Sequence, residues 1–188
     1  MGRVFMIRHG KPAATWGDAP DGDPGLDEIG HSQAERARDT LLAATPRPTR
    51  VISSPLRRCR ETAQPLATAL GLELVIDPRV GEIPTPGALA PGERPEWLKR
   101  AFAGRWDEID GDLDYEVWRQ AVREAVSSYD GAAVFSHYVA LNGVVSLLKG
   151  VPQVLAFQPD HASITTFDLT GGELLLRELG REAATRVL

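Results

Sequence analysis

The sequence predicts an α/β fold: a mostly parallel sheet covered on both faces by helices, with an antiparallel hairpin at its C-terminal side. Three observations carry that expectation. Four short apolar runs bounded by breakers, Val4–Ile7, Val51-Ile52, Leu72–Ile76 and Ala132–Phe135, alternate with segments of helical character, and strands alternating with helices build a parallel sheet. The tail changes character, because Ser163–Thr170 and Glu173–Leu179 flank Gly171-Gly172, a two-residue hairpin signal. The chain of 188 residues, 43% hydrophobic and 25% charged, is read as one globular domain spanning residues 1–188.

Taken in order, Val4–Ile7 reads as a short buried strand and residues 11–25, rich in Pro, Gly and Asp, as a loop. A helix is expected from Asp27 to about Ala44, with Ala34, Ala37, Leu41 and Leu42 near helical spacing, ended by Pro46 and Pro48. After the strand Val51-Ile52, Ser54-Pro55 looks like an N-cap followed by Pro at the first helical position. That helix is expected to kink at Pro65 and stop at Gly71. Leu72–Ile76 forms the third strand and residues 77–92 a loop, with helices at 93–104 and 113–128. Ala132–Phe135 is the fourth strand, and a helix after His137 runs to about Lys149, closed by Gly150 and Pro152. No internal repeat or low-complexity tract interrupts this pattern.

Charge and composition remove several classes of function. Lys+Arg number 21 against 26 Asp+Glu, for a net charge of -5, and a nucleic-acid partner usually calls for a basic face. The longest apolar runs are far short of the ~20 residues of a membrane span. Val4–Ile7 is too short for a signal-peptide core, and Met6 breaks a myristoylation motif. Cys59 is the single cysteine, so no intramolecular disulfide forms and a cytoplasmic location is expected. The basic residues are 18 Arg and 3 Lys, a supply of forked, permanent cations suited to phosphate.

In open α/β sheets, sites gather beyond the carboxyl ends of the parallel strands. The first strand delivers Arg8-His9-Gly10 there, the second Ser53-Ser54 and then Arg57, Arg58 and Arg60, and the fourth Ser136-His137. A helix start carries partial positive charge and disfavours bases. Three arginines at such a start therefore either hold an anion, for which phosphate is well suited, or splay outward to acids such as Glu61. His9 has the chemistry to attack phosphorus, with Arg8, Arg58 and His137 around the phosphoryl oxygens. Glu82, a few residues beyond the third strand, can reach the same edge as the acid that protonates the leaving oxygen. A lone surface carboxylate is its plain alternative.

These residues fall into ordered motifs. Arg8-His9-Gly10 after a hydrophobic strand resembles the signature of the histidine phosphatase superfamily, the phosphoglycerate mutase-like group. Leu26-Asp27-Glu28-Ile29-Gly30 with Gln33-Ala34 resembles the family's entry to its first helix, and Ser54–Ala63 its second-arginine motif, with Arg58 as the phosphate arginine. Asp77–Ile83 resembles the segment bearing its catalytic acid, and Val134–His137 its second-histidine strand. The resemblance implies a three-layer α/β/α sandwich and a phosphoryl transfer without metal or other cofactor. It further implies that His9 becomes a phosphohistidine, that Arg8, Arg58 and His137 bind phosphate, and that Glu82 protonates the leaving alcohol.

Two departures from the family pattern stand out. Tyr138 replaces the usual Gly after the second histidine, which keeps a backbone N–H for phosphate but brings a phenol ring to the pocket as a substrate-binding group. The loop Lys11–Asp18 lacks the Asn many members place there, while Trp16 stands where the resemblance implies a Trp.

Other candidates carry less. Cys59 lies between arginines that would lower its pKa, but a cysteine phosphatase needs an Arg where Pro65 stands. Asp110, Asp112 and Asp114 mimic a calcium loop briefly, yet Tyr115 occupies the glycine position. His31 reads as a surface residue, and His161, before Ala162-Ser163, as structural, with lining of the pocket as its alternative. Trp97, Phe102, Trp106 and Trp118 read as core beneath two helices, with one or two of them able to line a lid.

The function expected is hydrolysis of a small phosphomonoester, with neither nucleic acid nor membrane as partner. The rivals are a phosphoglycerate mutase, for which the Pro-rich segment 84–95 offers little room for a second anionic group, and a catalytically inactive module that binds a phospho-ligand.

Overall fold

The computed structural model describes residues 2–14, 22–90 and 92–184. Its strands are β1 (Gly2–Arg8), β2 (Arg50–Ser53), β3 (Leu74–Ile76), β4 (Ala132–Ser136), β5 (Ile164–Thr170) and β6 (Glu173–Glu178). Its helices are α1 (Glu28–Ala43), α2 (Arg57–Leu70), α3 (Arg94–Ala103), α4 (Tyr115–Ser127) and α5 (Tyr138–Lys149). The strands form one sheet in the order β3-β2-β4-β1-β5-β6. The first four are parallel, β5 is antiparallel to β1, and β6 is antiparallel to β5. Gly171 and Gly172 turn the β5–β6 hairpin at φ 61° and 85°, a left-handed conformation that glycine adopts without steric cost.

Period-two alternation along the central strands makes the three layers. Val4 and Met6 of β1 and Val134 of β4 face α4 and α5, where they pack with Val122, Leu141 and Val144. Phe5 and Ile7, with Ala133 and Phe135, face the opposite way onto Leu41 of α1 and Ala63 and Leu66 of α2. Both faces are covered, which explains why these strands read as unbroken apolar runs. A third cluster, with Trp97, Trp106, Tyr115 and Ile83, lies over the start of α5 around Tyr138 and Val139.

The helix boundaries follow their caps. Asp27 caps α1 by accepting from the Gly30 N–H, and Asp114 caps α4 by accepting from Val117. Gly71 and Gly150 close α2 and α5 in the left-handed conformation. Pro65 lies inside α2. One expected cap is corrected. Leu56, not Ser54, holds the N-cap position of α2, and it supplies no side-chain bond. The Ser54 hydroxyl is turned instead toward His137 Nε2, 2.7 Å away.

Candidate active site

Strand order sets the site. β2, β4 and β1 are neighbours in register, with Ser53 beside Phe135 and Arg8 beside Ser136. Their chains therefore leave the sheet side by side, the Ser54 N–H donating to Phe135 O and the His9 N–H to Ser136 O, each at 3.0 Å. His9 and His137 emerge with ring centroids 5.4 Å apart. Arg8, His9, Arg58 and His137 are all buried at this edge.

The flanking residues of the motifs serve as its frame. A Cβ on Gly10 would stand 2.7 Å from Gly30 O, and one on Gly30 would collide with Lys11 O. The first loop and the entry of α1 can thus approach only as two glycines. Thr62 Oγ1 takes the Gly10 N–H at 2.9 Å and donates to Arg58 O at 2.6 Å. Glu61 accepts from Leu26 N and from Arg57 Nε. Of the three arginines opening α2, Arg58 alone turns inward; Arg57 and Arg60 are exposed, so the outward reading holds for Arg57, on Glu61. Ser136 Oγ donates to Val80 O at 2.7 Å, fixing the turn that presents Glu82. That carboxylate is not a surface loop group. It stands 3.5 Å from both Arg58 Nη2 and His137 Nδ1.

Electrostatics gives each group a state. The Gly10 carbonyl lies 2.8 Å from His9 Nδ1, and since a carbonyl only accepts, Nδ1 carries the proton and Nε2 the lone pair. Burial, with His137, Arg8 and Arg58 nearby, holds His9 well below the usual histidine range, so it is neutral near pH 7. Burial also pushes His137 down to about 4, with Glu82 opposing and the arginines assisting. For Glu82, burial works to raise the pKa, but His137, Arg94 and Arg58 prevail and hold it below the ordinary carboxylate value. Arg8, lowered by burial to about 10, stays charged. Cys59 differs from the sequence expectation. Its thiol is fully buried against Ser136 O and His137, and burial outweighs Arg58 and pushes its pKa up, so it remains a protonated packing residue.

Of these groups Arg8, His9 and Glu82 line a cavity of about 250 Å³, together with Tyr138 and His161, while Arg58 and His137 lie buried behind them. A larger groove of about 500 Å³ between α1 and α2 is remote from this chemistry. Tyr138 is a wall of the cavity, with Arg8 Cζ 5.0 Å from its ring centroid and the Phe102 ring 5.7 Å away. The rest of the wall comes from α3, where Arg94, Leu98 and Phe102 recur every fourth residue and share one face. Trp97 and Trp106 are core, as expected, and Phe102 is the aromatic of that segment that reaches the cavity.

Sequence reasoning missed Arg94 and Leu98 as lining residues; for His161 it preferred a structural place over the pocket, and the alternative holds, since the ring lies at the cavity, 2.9 Å from Arg8. A cation in a period-four stripe just past Glu82 was the available signal for Arg94. His31 is exposed beside Glu61, as expected. Trp16 lies outside the described residues. Among the described residues, no cluster of three or more His, Cys, Asp or Glu is arranged to hold a metal ion, and no helix is long and apolar enough to cross a membrane.

Comparison with known proteins adds three findings. A model of the histidine phosphatase superfamily (branch 1) matches residues 4–182. The curated protein named "Probable phosphoglycerate mutase GpmB" from Erwinia tasmaniensis is 30% identical over 172 residues, covering 80% of this chain and 76% of its own length. Among solved structures, phosphoserine phosphatase from Entamoeba histolytica in complex with 3-phosphoglyceric acid superposes with a TM-score of 0.75 at 20% identity, covering 98% of each chain. Mycobacterial glucosyl-3-phosphoglycerate phosphatase superposes with a TM-score of 0.68 at 23% identity, covering 98% of this chain and 100% of its own. At such identities the structural likeness is one of fold.

Proposed function

The chain belongs to the histidine phosphatase superfamily (branch 1), and on that premise we propose that it is a phosphatase hydrolysing a small phosphomonoester through a phosphohistidine on His9, with no metal or other cofactor. The observation that carries this reading is the state of His9: buried, neutral, its Nδ1 proton pinned to Gly10 O, and its Nε2 lone pair left for attack. Arg8, Arg58 and His137 surround the phosphoryl oxygens and supply the positive charge and hydrogen bonds such a transfer needs. Tyr138 closes one side of the substrate space. A cavity of about 250 Å³ admits a small phosphorylated molecule, and the free, buried thiol of Cys59 agrees with a cytoplasmic enzyme.

In the first step His9 Nε2 attacks phosphorus in line, the P–O ester bond breaks, and the leaving oxygen takes a proton from Glu82. In the second, the Glu82 carboxylate takes a proton from water, the water oxygen attacks phosphorus, and the P–N bond breaks to release phosphate. With these neighbours alone Glu82 is ionised. A phosphate dianion set beside Arg58 and His137 offsets their pull and adds its own repulsion, so substrate binding itself raises the Glu82 pKa toward that of a proton donor.

The test is direct. The purified protein should hydrolyse an aryl phosphate in excess chelator, and His9→Ala should lose both turnover and an acid-labile phosphoenzyme. Labelling retained in His9→Ala, or a strict metal requirement, overturns the mechanism. A phosphoglycerate mutase reading is favoured by the name of the 30%-identical relative and by Arg94 and Lys11 on the cavity lining, which offer cations for a second anionic group. Supplied with 3-phosphoglycerate, a phosphatase releases inorganic phosphate whereas a mutase forms the 2-isomer. A module that only binds a phospho-ligand would do neither.

A further inference from the structure

Arg8 sits in a setting that should misdirect it. Its guanidinium is repelled by Arg58 and attracted by Glu82 and by Asp160, so in an empty pocket the simplest outcome is collapse onto one of those carboxylates. The structure shows it held elsewhere. Nη1 donates to Pro159 O at 2.9 Å, and Nη2 lies 2.9 Å from His161 Nε2. A guanidinium nitrogen only donates, so His161 Nε2 is the acceptor and its proton lies on Nδ1.

The loop bearing these acceptors also grips the backbone of the same motif. Arg8 N donates to Ser163 O and Ala162 N to His9 O, both at 3.2 Å. Ala162 between them has φ 53°, the one non-glycine residue among those described with a positive φ. A left-handed conformation crowds the Cβ of an alanine against its own backbone, and such strain persists where surrounding bonds over-determine it. Here Asp160 supplies them, its carboxylate accepting from His161 N at 2.8 Å and its carbonyl from Ser163 N at 3.1 Å. The strained turn brings the His161 ring over the reaction centre, 5.8 Å from the His9 ring.

We infer that His161 is a positioning residue of the phosphoryl site, its Nε2 acceptor and the strained turn beneath it holding the Arg8 guanidinium off Glu82 and Asp160 and ready for phosphate. The acceptor must be neutral to serve. Burial first, then Arg8 and Lys11, push His161 down to about 4 against the opposing pull of Asp160 and Asp27, so it keeps its lone pair at neutral pH. Holding Arg8 away from Glu82 leaves that carboxylate free to take the proton it later donates. The inference rests on the proposal that Arg8 binds the phosphoryl group.

The experiment compares His161→Gln, whose amide oxygen reaches the place of Nε2 and still accepts, with His161→Phe, whose ring fills the space without an acceptor. Both are read by thermal unfolding, by KM and kcat on an aryl phosphate, by inhibition with inorganic phosphate, and by a phosphate-free crystal structure of the Phe variant. His161→Phe should raise KM and the phosphate inhibition constant about tenfold, as loss of a hydrogen bond to a charged group does, with kcat changed less. His161→Gln should stay near the wild-type values, and the crystal should show Arg8 turned to Glu82 or Asp160. Arg8 unmoved in the Phe variant, or equal losses in Gln and Phe, overturns the inference. Arg8 displaced with phosphate inhibition unchanged upholds positioning by His161 but removes Arg8 from the phosphate site, so the two ideas fail separately.

Discussion

At the floor of the cavity His9 lines the space, with Ser54 and His137 buried behind it; the three stand on the ends of three neighbouring strands, and Arg58 reaches them from the first turn of α2. On its wall, Arg94, Leu98 and Phe102 stand on one face of α3, while His161 arrives on a loop from the far end of the chain. The floor is placed by backbone pairing. Once β2, β4 and β1 are in register, side chains at their ends have little choice of position. The wall is placed by packing, through Trp97 and Trp106 against Tyr138 and Val139, and by scattered hydrogen bonds between loops, such as Arg94 Nε to Thr85 Oγ1 and Ala162 N to His9 O. A floor made this way suits the phosphoryl group common to every substrate, and a wall made this way suits the part that varies.

The largest effect expected from this contrast falls on Arg58. It is 2% exposed and belongs to the floor, so Arg58→Ala should lower kcat/KM by about 10²–10³-fold, the range for removing one preorganised donor to developing charge. The loss should be nearly equal for sugar, amino-acid and aryl phosphates. A loss that varied more than tenfold among them would break the division between floor and wall.

Glu82 lies where the two meet, touching Arg58 and His137 of the floor while sensing Arg94 of the wall. Glu82→Gln should slow an alkyl phosphate by about 10²-fold and an aryl phosphate much less, because a good leaving group needs little protonation. The alkaline decline of kcat/KM for the alkyl ester should flatten in the variant, since its cause is deprotonation of the acid. Equal slowing of both esters would make Glu82 a binding group of the floor.

The same division explains what could be read before the structure. Arg8-His9-Gly10, Glu82 and Ser136-His137 were legible because each follows a recognisable apolar strand, and a strand end fixes direction, whereas Arg58 was singled out from Arg57 and Arg60 by the family resemblance. The framing contacts were present in the motifs but not their reasons: Gly10 against Gly30, and Thr62 between Gly10 and Arg58, are pairings that only the folded chain brings together. Ser54 was misread as a cap because Ser-Pro is a good helix entry, and the tertiary partner, His137, outbid the local one. Arg94 was not legible, and His161 only as the lesser of two readings. The first depends on how α3 is rotated about its axis, and the second on a turn whose left-handed residue is an alanine, with no glycine to announce it.

The smallest effects expected, and the most informative about substrate, come from the wall. Arg94→Ala and Phe102→Ala should each change KM by about tenfold, the scale of one lost charged or apolar contact to a ligand. They should do so unequally across substrates, with Arg94→Ala costing most for esters that carry a second anionic group and Phe102→Ala for those with an apolar portion. Inhibition by inorganic phosphate, which has no second group to reach α3, should move in neither variant. Arg94 also contributes to holding Glu82 below its ordinary pKa, so Arg94→Ala should additionally shift the alkaline limb of kcat/KM upward in pH, a change Phe102→Ala cannot produce. If Arg94→Ala weakens inorganic phosphate as strongly as Arg58→Ala does, then α3 supplies part of the floor, and the cavity is one phosphate site rather than a site with a selective wall.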